Sequence, residues 1–239
     1  MPRFFLEPPV MEPIVLQGED ARHIALSLRM KAGDALTVCD GQGTDFECTI
    51  ASITPQQVEL AVVRKVATQS EPTVRVTLYQ GVPKSDKFDT IVQKAVELGV
   101  SAVVPVMMSR CVSRPDAKSM EKKCIRWQKI AAEAAKQSGR GIVPQVMPCI
   151  TFAEALRTAG GQKILFYECG GAPLTELVSP DAEEISLFIG PEGGISGQEL
   201  EAAVEAGAQT ATLGPRILRT ETAPLAALTA VMLLTDNLK

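Results

Sequence analysis

Aromatic side chains are scarce in this chain: seven Phe, two Tyr and one Trp among 239 residues. Ten rings are too few for the base-stacking sheets with which many modules hold single-stranded RNA. Histidine is scarcer still, with His23 alone, and no two of the six cysteines (39, 48, 111, 124, 149 and 169) are spaced as CxxC. A zinc site therefore has no ligand set to draw on; no metal is expected, and the thiols read as buried or free. No stretch approaches the roughly 18 apolar residues of a membrane span, so no membrane partner is expected. The opening MPRFFLEPPVMEP lacks the long apolar region of a secretory signal, which makes the cytoplasm the expected location. Positive charge is not in excess either: 24 Lys and Arg against 28 Asp and Glu give a net charge of −4. Nucleic-acid binders carry a basic footprint, and the total does not show one.

What is present is an ordinary globular composition, 46% hydrophobic and 22% charged, long enough for one large domain or two modest ones. The first 70 residues lean towards strands. ALTVCDGQGTDFECTIASI holds two β-rich runs around the turn signal Asp40-Gly41-Gln42-Gly43, and QVELAVVRKV reads as a further strand after Pro55. A short helix fits Ala21 to Arg29, and the whole reads as a small β-barrel. ATQSEPT, from Ala67 to Thr73, has the polar, proline-bearing character of a linker. Domains over 1–70 and 74–239 are expected.

After Thr73 strands alternate with helices, which implies an α/β fold with a mainly parallel sheet. VRVTLYQG, SAVVPVM, KILFYEC, ISLFIG and QTATLG are the strand candidates. Ser85 is a candidate cap for a helix whose face is Phe88, Ile91, Val92, Ala95 and Val96, ended by Gly99. A second helix is expected over 117–138. Capping boxes Thr151/Glu154 and Ser196/Glu199 start two more, the latter near Gly197.

Two loops near the C-terminus concentrate the chemistry. IGPEGGIS carries glycines at 190, 193 and 194 between a strand and a helix, at the sheet edge where ligands of α/β proteins bind. Its order excludes a dinucleotide fingerprint, because Pro191 and Glu192 stand where the second glycine belongs. It also excludes a P-loop, since no lysine occurs between 164 and 238. The second loop, LGPRILRTETAPLAAL, again leaves a strand through Gly-Pro, then packs Arg216, Arg219 and Glu221 between apolar segments. Charge at such a junction is costly unless paired or used. Thr220 or Thr222 is a candidate cap for the helix that follows, with Pro224 in its first turn. Two Gly-Pro loops after successive strands would lie side by side and enclose a small molecule.

These two motifs, in this order, resemble the RsmE family of SPOUT-class methyltransferases. HIALSLRMKAGDALTVCDGQG is similar to that family's N-terminal domain, QGVPKSDKFDTIVQKAVELGV to its first βα unit, and RWQKIAAEAAKQSGR to the helix beyond. The resemblance spans nearly the whole chain. It implies an N-terminal PUA-like β-barrel and a C-terminal SPOUT domain with a deep trefoil knot, a feature pattern reading would reject, because knots are nearly absent from general folds. It implies a homodimer that uses S-adenosyl-L-methionine to methylate N3 of one uridine in the decoding region of small-subunit 16S ribosomal RNA. The matching cofactor walls are Gly190, Pro191, Glu192, Gly193 and Gly194 in one loop and Leu213, Gly214, Ile217, Leu218 and Thr222 in the other, with Leu165 and Phe166 feeding a third.

Methyl transfer from a sulfonium is an in-line displacement, and uracil N3 must lose a proton to become a nucleophile. Arg219 is the candidate for stabilising the anionic base, and Glu221 for accepting the proton or holding Arg219. From Arg110 to Arg140 there are nine Lys or Arg against three acidic residues, a local balance of +6. On a helix, Lys118, Lys122, Arg126, Lys129, Lys136 and Arg140 fall within a sector of roughly 80°, opposite Met120, Cys124, Trp127, Ile130, Ala131 and Ala134. The stripe reads as a ribosomal RNA phosphate contact, helped by Arg3, Arg22 and Arg29; Trp127 reads as core, and His23 as a packing or capping residue. Two alternatives stand beside this reading. Ribose 2′-O methylation is disfavoured because QGVPKSDK lacks the Asn…Gly…Arg signature of such enzymes. A non-catalytic RNA-binding or ribosome-assembly factor is disfavoured by the intact RILRTETA loop.

Overall fold

The computed structural model describes residues 2–6 and 10–238, and the chain divides into two compact units. The first comprises the chain up to Glu71 together with Ala135–Val143; the second comprises Pro72–Ala134 and Pro144 onwards. The break after Glu71 falls inside the polar ATQSEPT stretch.

The first unit is a five-stranded sheet in the order β1-β3-β4-β5-β2. Its strands are β1 (Arg3–Phe5), β2 (Ile14–Gln17), β3 (Ala35–Cys39), β4 (Thr44–Ile53) and β5 (Gln57–Ala67). All neighbours pair antiparallel except β1 with β3. Asp40–Gly43 makes the β3–β4 turn as its sequence predicts. Asp40 accepts the N–H groups of Gln42 (2.8 Å) and Thr44 (2.9 Å), the short polar side chain doing the work of a backbone turn. Register shifts at Glu47/Cys48 and Ile50/Ser52 bend β4 around a core of Phe4, Ile14, Leu16, Leu36, Val38, Ile50, Val58 and Leu60. The predicted helix over 21–29 is instead α1 (Gly18–Arg22) running into a π-helical turn, His23–Ser27.

In the second unit every strand pairing is parallel. The strands are β6 (Arg75–Gly81), β7 (Ala102–Met107), β8 (Gln145–Val146), β9 (Ile150–Thr151), β10 (Gln162–Phe166), β11 (Ala172–Pro173), β12 (Glu184–Ile189) and β13 (Gln209–Thr212). Their order is β11-β13-β10-β12-β6-β7-β8, with β9 also on β7. The order matters for function. β12 pairs with both β10 and β6, and β13 lies on the other side of β10, so the loops leaving β6, β10, β12 and β13 emerge at one edge.

Helix α2 (Lys87–Glu97) shows why the intervening segments are helical. Phe88, Ile91, Val92, Ala95 and Val96 recur on one face and all are buried, each large one contributing about 1.5–3 kcal/mol. Gly99, at φ +93°, ends the helix in a conformation other residues avoid. The expected Ser85 cap does not form. Asp86 occupies the capping position without a side-chain bond, and Ser85 takes a left-handed conformation, φ +59°. In α3 (Ala117–Ser138), Met120, Trp127, Ala131 and Ala134 are buried as predicted. The Trp127 ring stacks on Phe88 with centroids 4.1 Å apart, and its Nε1 donates to Asp89 (3.0 Å), which marks it as core. Both predicted capping boxes are present, at the starts of α4 (Phe152–Thr158) and α6 (Gly197–Glu205). A short α5 (Leu174–Leu177) and the apolar α7 (Ala223–Leu234) complete the unit. Among the described residues, no helix is long and apolar enough to cross a membrane, and no group of three His, Cys, Asp or Glu could hold a metal ion.

Candidate active site

The strand edge of the second unit opens into a cleft of about 670 Å³, within the roughly 300–1,000 Å³ of small-molecule sites. One wall is Ile189 to Gly194 after β12, and the facing wall is Leu213 to Thr220 after β13. Phe166, Tyr167 and Glu168 after β10 form the third side, and Lys84 and Lys87 reach in from the segment after β6.

The glycine loop is hemmed in, which explains its composition. Gly194 has φ +70°, which side chains rarely adopt, and a Cβ on Gly193 would lie 2.8 Å from the Arg110 carbonyl oxygen. Arg110 Nη1 donates to the Gly193 carbonyl (3.1 Å). Glu199 anchors the far end of the loop, accepting Ser196 N–H (3.0 Å) in the capping box and Ser109 N–H (2.7 Å) from the loop after β7. Burial pushes the Glu199 carboxyl up, but these N–H bonds outweigh it and hold it below its usual range.

The two loops are joined at their base. Thr220 Oγ1 donates to the Gly190 carbonyl (2.8 Å), and Gln80 Nε2, from the end of β6, reaches Thr220 Oγ1 (3.1 Å) and the Gly190 carbonyl (3.4 Å). Gln80 is fully buried, and its Oε1 finds no partner among the described residues. Thr220 is therefore a tie between loops, not a helix cap. Thr222 stands at the capping position of α7 but makes no side-chain cap bond, with Pro224 in the first turn as expected. At the mouth, Lys87 Nζ lies 2.8 Å from Glu221 Oε2 and 3.3 Å from Glu192 Oε1. The hydrogen bond from Lys87 holds the Glu221 carboxyl below its usual range, and the same bond, against some desolvation, holds Lys87 above its own.

Of the residues singled out as cofactor walls, Phe166, Gly190, Pro191, Glu192, Gly193, Gly194, Leu213, Gly214, Ile217 and Leu218 all line this cleft. Leu165 does not: strand alternation turns it away from the face of Phe166, and it is fully buried. Thr222 is exposed and lies outside the lining. Arg219 lines the cleft, is exposed, and makes no ion pair within 4 Å among the described residues. Glu221 holds Lys87 instead of Arg219. Sequence reading missed Lys84, Lys87, Tyr167 and Glu168. The only signal for the lysines was their position, PKSDK, directly after the first strand of the unit.

Backbone N–H and C=O groups of glycines, apolar walls from Ile189, Leu213 and Leu218, and a mouth carrying both signs of charge suit a small ligand with a planar apolar part and a polar, charged end. The family model described as the RNA methyltransferase domain matches residues 69–232, and one described as the RNA methyltransferase PUA domain matches 16–63. Ribosomal RNA small subunit methyltransferase E of Bacillus subtilis is 36% identical over 233 residues, covering 94% of this chain and 91% of that protein. This chain belongs to the ribosomal RNA small subunit methyltransferase E family. A crystal structure of the methyltransferase E of Neisseria gonorrhoeae, bound to S-adenosyl methionine, is 34% identical over 98% of both chains, with a TM-score of 0.87. A Legionella pneumophila structure in complex with bound SAM is 27% identical, covers 97% of this chain and 96% of its own, and has a TM-score of 0.84. The α/β fold with an N-terminal PUA-like unit is thus the fold of the methyltransferase E family.

The basic residues divide into two groups. Lys118, Lys122 and Lys129 are exposed on α3, with no ion pair among the described residues, and Arg22 and Arg29 are exposed on the first unit. The others are engaged. Arg126 pairs with Asp86 (3.3 Å) and Asp89. Lys136 pairs with Asp20 (2.9 Å) and sits over the Phe4 ring. Arg3 grips both oxygens of Asp45 at 2.7 Å. Arg140 is 4% exposed, with its guanidinium 2.6 Å from Glu71. The stripe is not continuous, because the last turn of α3 and the residues after it pack within the first unit and use their charge internally. His23 is exposed and meets the Phe4 ring edge-on, a packing contact.

Proposed function

We propose that this chain methylates N3 of a uridine in the decoding region of 16S ribosomal RNA, using S-adenosyl-L-methionine held in the cleft between the loops after β12 and β13. The observation that carries the reading is that two Gly-Pro loops, leaving successive strands of the chain, close on one cleft within the span of the RNA methyltransferase family match. The cleft fits the cofactor on its own terms. Gly190, Gly193 and Gly194 line it without side chains, leaving backbone open to a ligand, and the apolar walls suit an adenine. Glu168 and Glu192 line the cleft with carboxylates, which suits a cationic ligand. When bound, the cofactor supplies an electrophilic methyl group.

The chain's own residues then do three things. Gly190–Gly194 and Leu213–Leu218 orient the ligand and exclude water, so positioning supplies much of the acceleration. Arg219, at the rim and without an ion pair within 4 Å among the described residues, meets the negative charge that develops on uracil as the N3 proton leaves. Glu221 accepts the N3–H. Because Lys87 keeps that carboxyl below its ordinary 4.5, it is a weak base, and the larger share falls to Arg219. Residues 1–70 serve as the RNA-holding domain and 74–239 as the catalytic domain, with Lys118, Lys122, Lys129, Arg22 and Arg29 facing phosphate. The active species is a homodimer with the trefoil knot of its class. Supporting the dimer, α7 is apolar all round and leaves Leu225, Ala226, Thr229, Ala230 and Leu233 only partly covered.

Mass spectrometry of 16S ribosomal RNA from a strain lacking the gene tests this. Loss of N3-methyluridine, restored by this chain but not by Arg219→Ala, is expected. Restoration by the variant would remove Arg219 from the mechanism. A label recovered on ribose would replace the N3 reading with 2′-O methylation, and no methyl transfer at all would leave an RNA-binding factor.

A further inference from the structure

Loops that grip a ligand from two sides must keep a fixed separation, and glycine-rich backbone does not do that unaided. The base of the cleft is tied by Thr220 and Gln80. The mouth is tied electrostatically, from a third segment. Lys87 Nζ touches Glu221 of one loop (2.8 Å) and Glu192 of the other (3.3 Å), and Glu192 also accepts the Lys84 N–H at 3.3 Å with both oxygens. The segment presenting Lys84 and Lys87 bends through Ser85 in a left-handed conformation that non-glycine residues seldom adopt.

Neither helix formation nor stability accounts for Lys87. It is the first residue of α2, where the helix dipole disfavours a cation. All three side chains are about a quarter exposed, so the pairs add little to stability. What the arrangement does achieve is local. It fixes the distance between the two walls, and it occupies Glu221, which stands two residues from Arg219 and would otherwise neutralise it.

Resting on the cofactor reading above, we propose that Lys87 is a positioning residue for methyl transfer. By bridging Glu192 and Glu221 it holds the two loops at the ligand's width and keeps Glu221 off Arg219, leaving the Arg219 charge for the substrate. Arginine can span two single carboxylate oxygens; methionine keeps the stem and loses the charge.

The test compares wild type with Lys87→Met and Lys87→Arg. The readouts are melting temperature, amide hydrogen exchange of the ligand-free protein, S-adenosylmethionine binding by calorimetry, and kcat and KM on small ribosomal subunits. Lys87→Met is expected to melt within about 2 °C of wild type, since the partly exposed pairs are worth little, and to exchange faster in 190–194 and 213–222 together. It should bind the cofactor about tenfold more weakly and lose roughly tenfold or more in kcat, in keeping with the cost of loosened positioning. Lys87→Arg should recover most of each loss. Wild-type exchange and affinity in Lys87→Met, or no rescue by Lys87→Arg, overturns the proposal. A wild-type chain that binds no S-adenosylmethionine overturns the functional reading instead, and loops that loosen together in Lys87→Met would still uphold the bridge.

Discussion

Gly81→Ala is the sharpest single perturbation the site offers. Gly81 ends β6 and is buried, and a Cβ there would lie 2.6 Å from both Cδ and N of Pro191 and 3.0 Å from the Gly190 carbonyl carbon. Ordinary contact begins at 3.4 Å, so the shortfall from 3.4 to 2.6 Å is about 0.8 Å. Gly81 cannot yield it, because it is paired with Val106 inside a parallel sheet. The loop must move, and the atoms met are mainly backbone and a proline ring, not a flexible tip. A shift of that size along the Thr220–Gly190 hydrogen bond takes it from 2.8 Å past the roughly 3.2 Å limit of a good one. Overpacking of this kind costs about 1–3 kcal/mol, and a domain of this size loses about 2–4 °C of melting temperature per kcal/mol. Because the displaced wall is the cofactor wall, S-adenosylmethionine affinity should fall by roughly tenfold or more, equivalent to about 1.4 kcal/mol. Gly197→Ala is the matched control: no atom lies within 4 Å of its Cβ and it begins α6, so alanine should be neutral or stabilise by about 0.5–1 kcal/mol. Scanning fluorimetry and calorimetry on both variants decide the matter. Gly81→Ala with wild-type melting and affinity, or Gly197→Ala equally damaged, would refute the steric reasoning.

Glu71→Ala should destabilise the first unit by roughly 3 kcal/mol in urea unfolding, since it strips the carboxylate from a 5%-exposed Arg140 side chain; a loss under ~1 kcal/mol would contradict the buried pairing. Charge reversal of Lys122 and Lys129 together should reduce the salt slope of ribosomal RNA binding by roughly 1.4 or more, whereas an unchanged slope would take α3 out of the RNA contact. The Glu221 carboxyl is depressed in the folded chain, so its contribution is fully present above its ordinary 4.5 and is lost as pH falls through the folded value. The melting-temperature gap between wild type and Glu221→Gln should therefore be constant from about pH 6 to 8 and close below 4.5; a gap that closes towards alkaline pH instead would contradict the sign.

The elements of this fold were largely legible because their signals are local. Hydrophobic spacing marked α2 and α3, residue pairs marked the capping boxes, and the Asp40–Gly43 turn announced its hairpin. The edge that bears the cleft was legible too, since loops after parallel strands leave from one edge, but that β10 and its loop stand between β12 and β13 was not. Recognising the motif pair supplied the chemistry that spacing could not. Long-range pairing was invisible. No pattern in PKSDK says that Lys87 meets Glu221, 134 positions away, instead of leaving Glu221 to Arg219 two positions away. A helical wheel placed Arg140 among the RNA-facing cations, but Arg140 is buried against Glu71, because Ala135–Val143 pack into the first unit. Which face of a strand Leu165 shows, and whether Thr220 caps a helix or ties a loop, also depended on what the sheet brought near. The sequence by itself determined where backbone would turn, cap and bury. Only the tertiary structure decided which charges compensate one another, because a charge answers to whatever lies within a few ångströms and not to its neighbours along the chain.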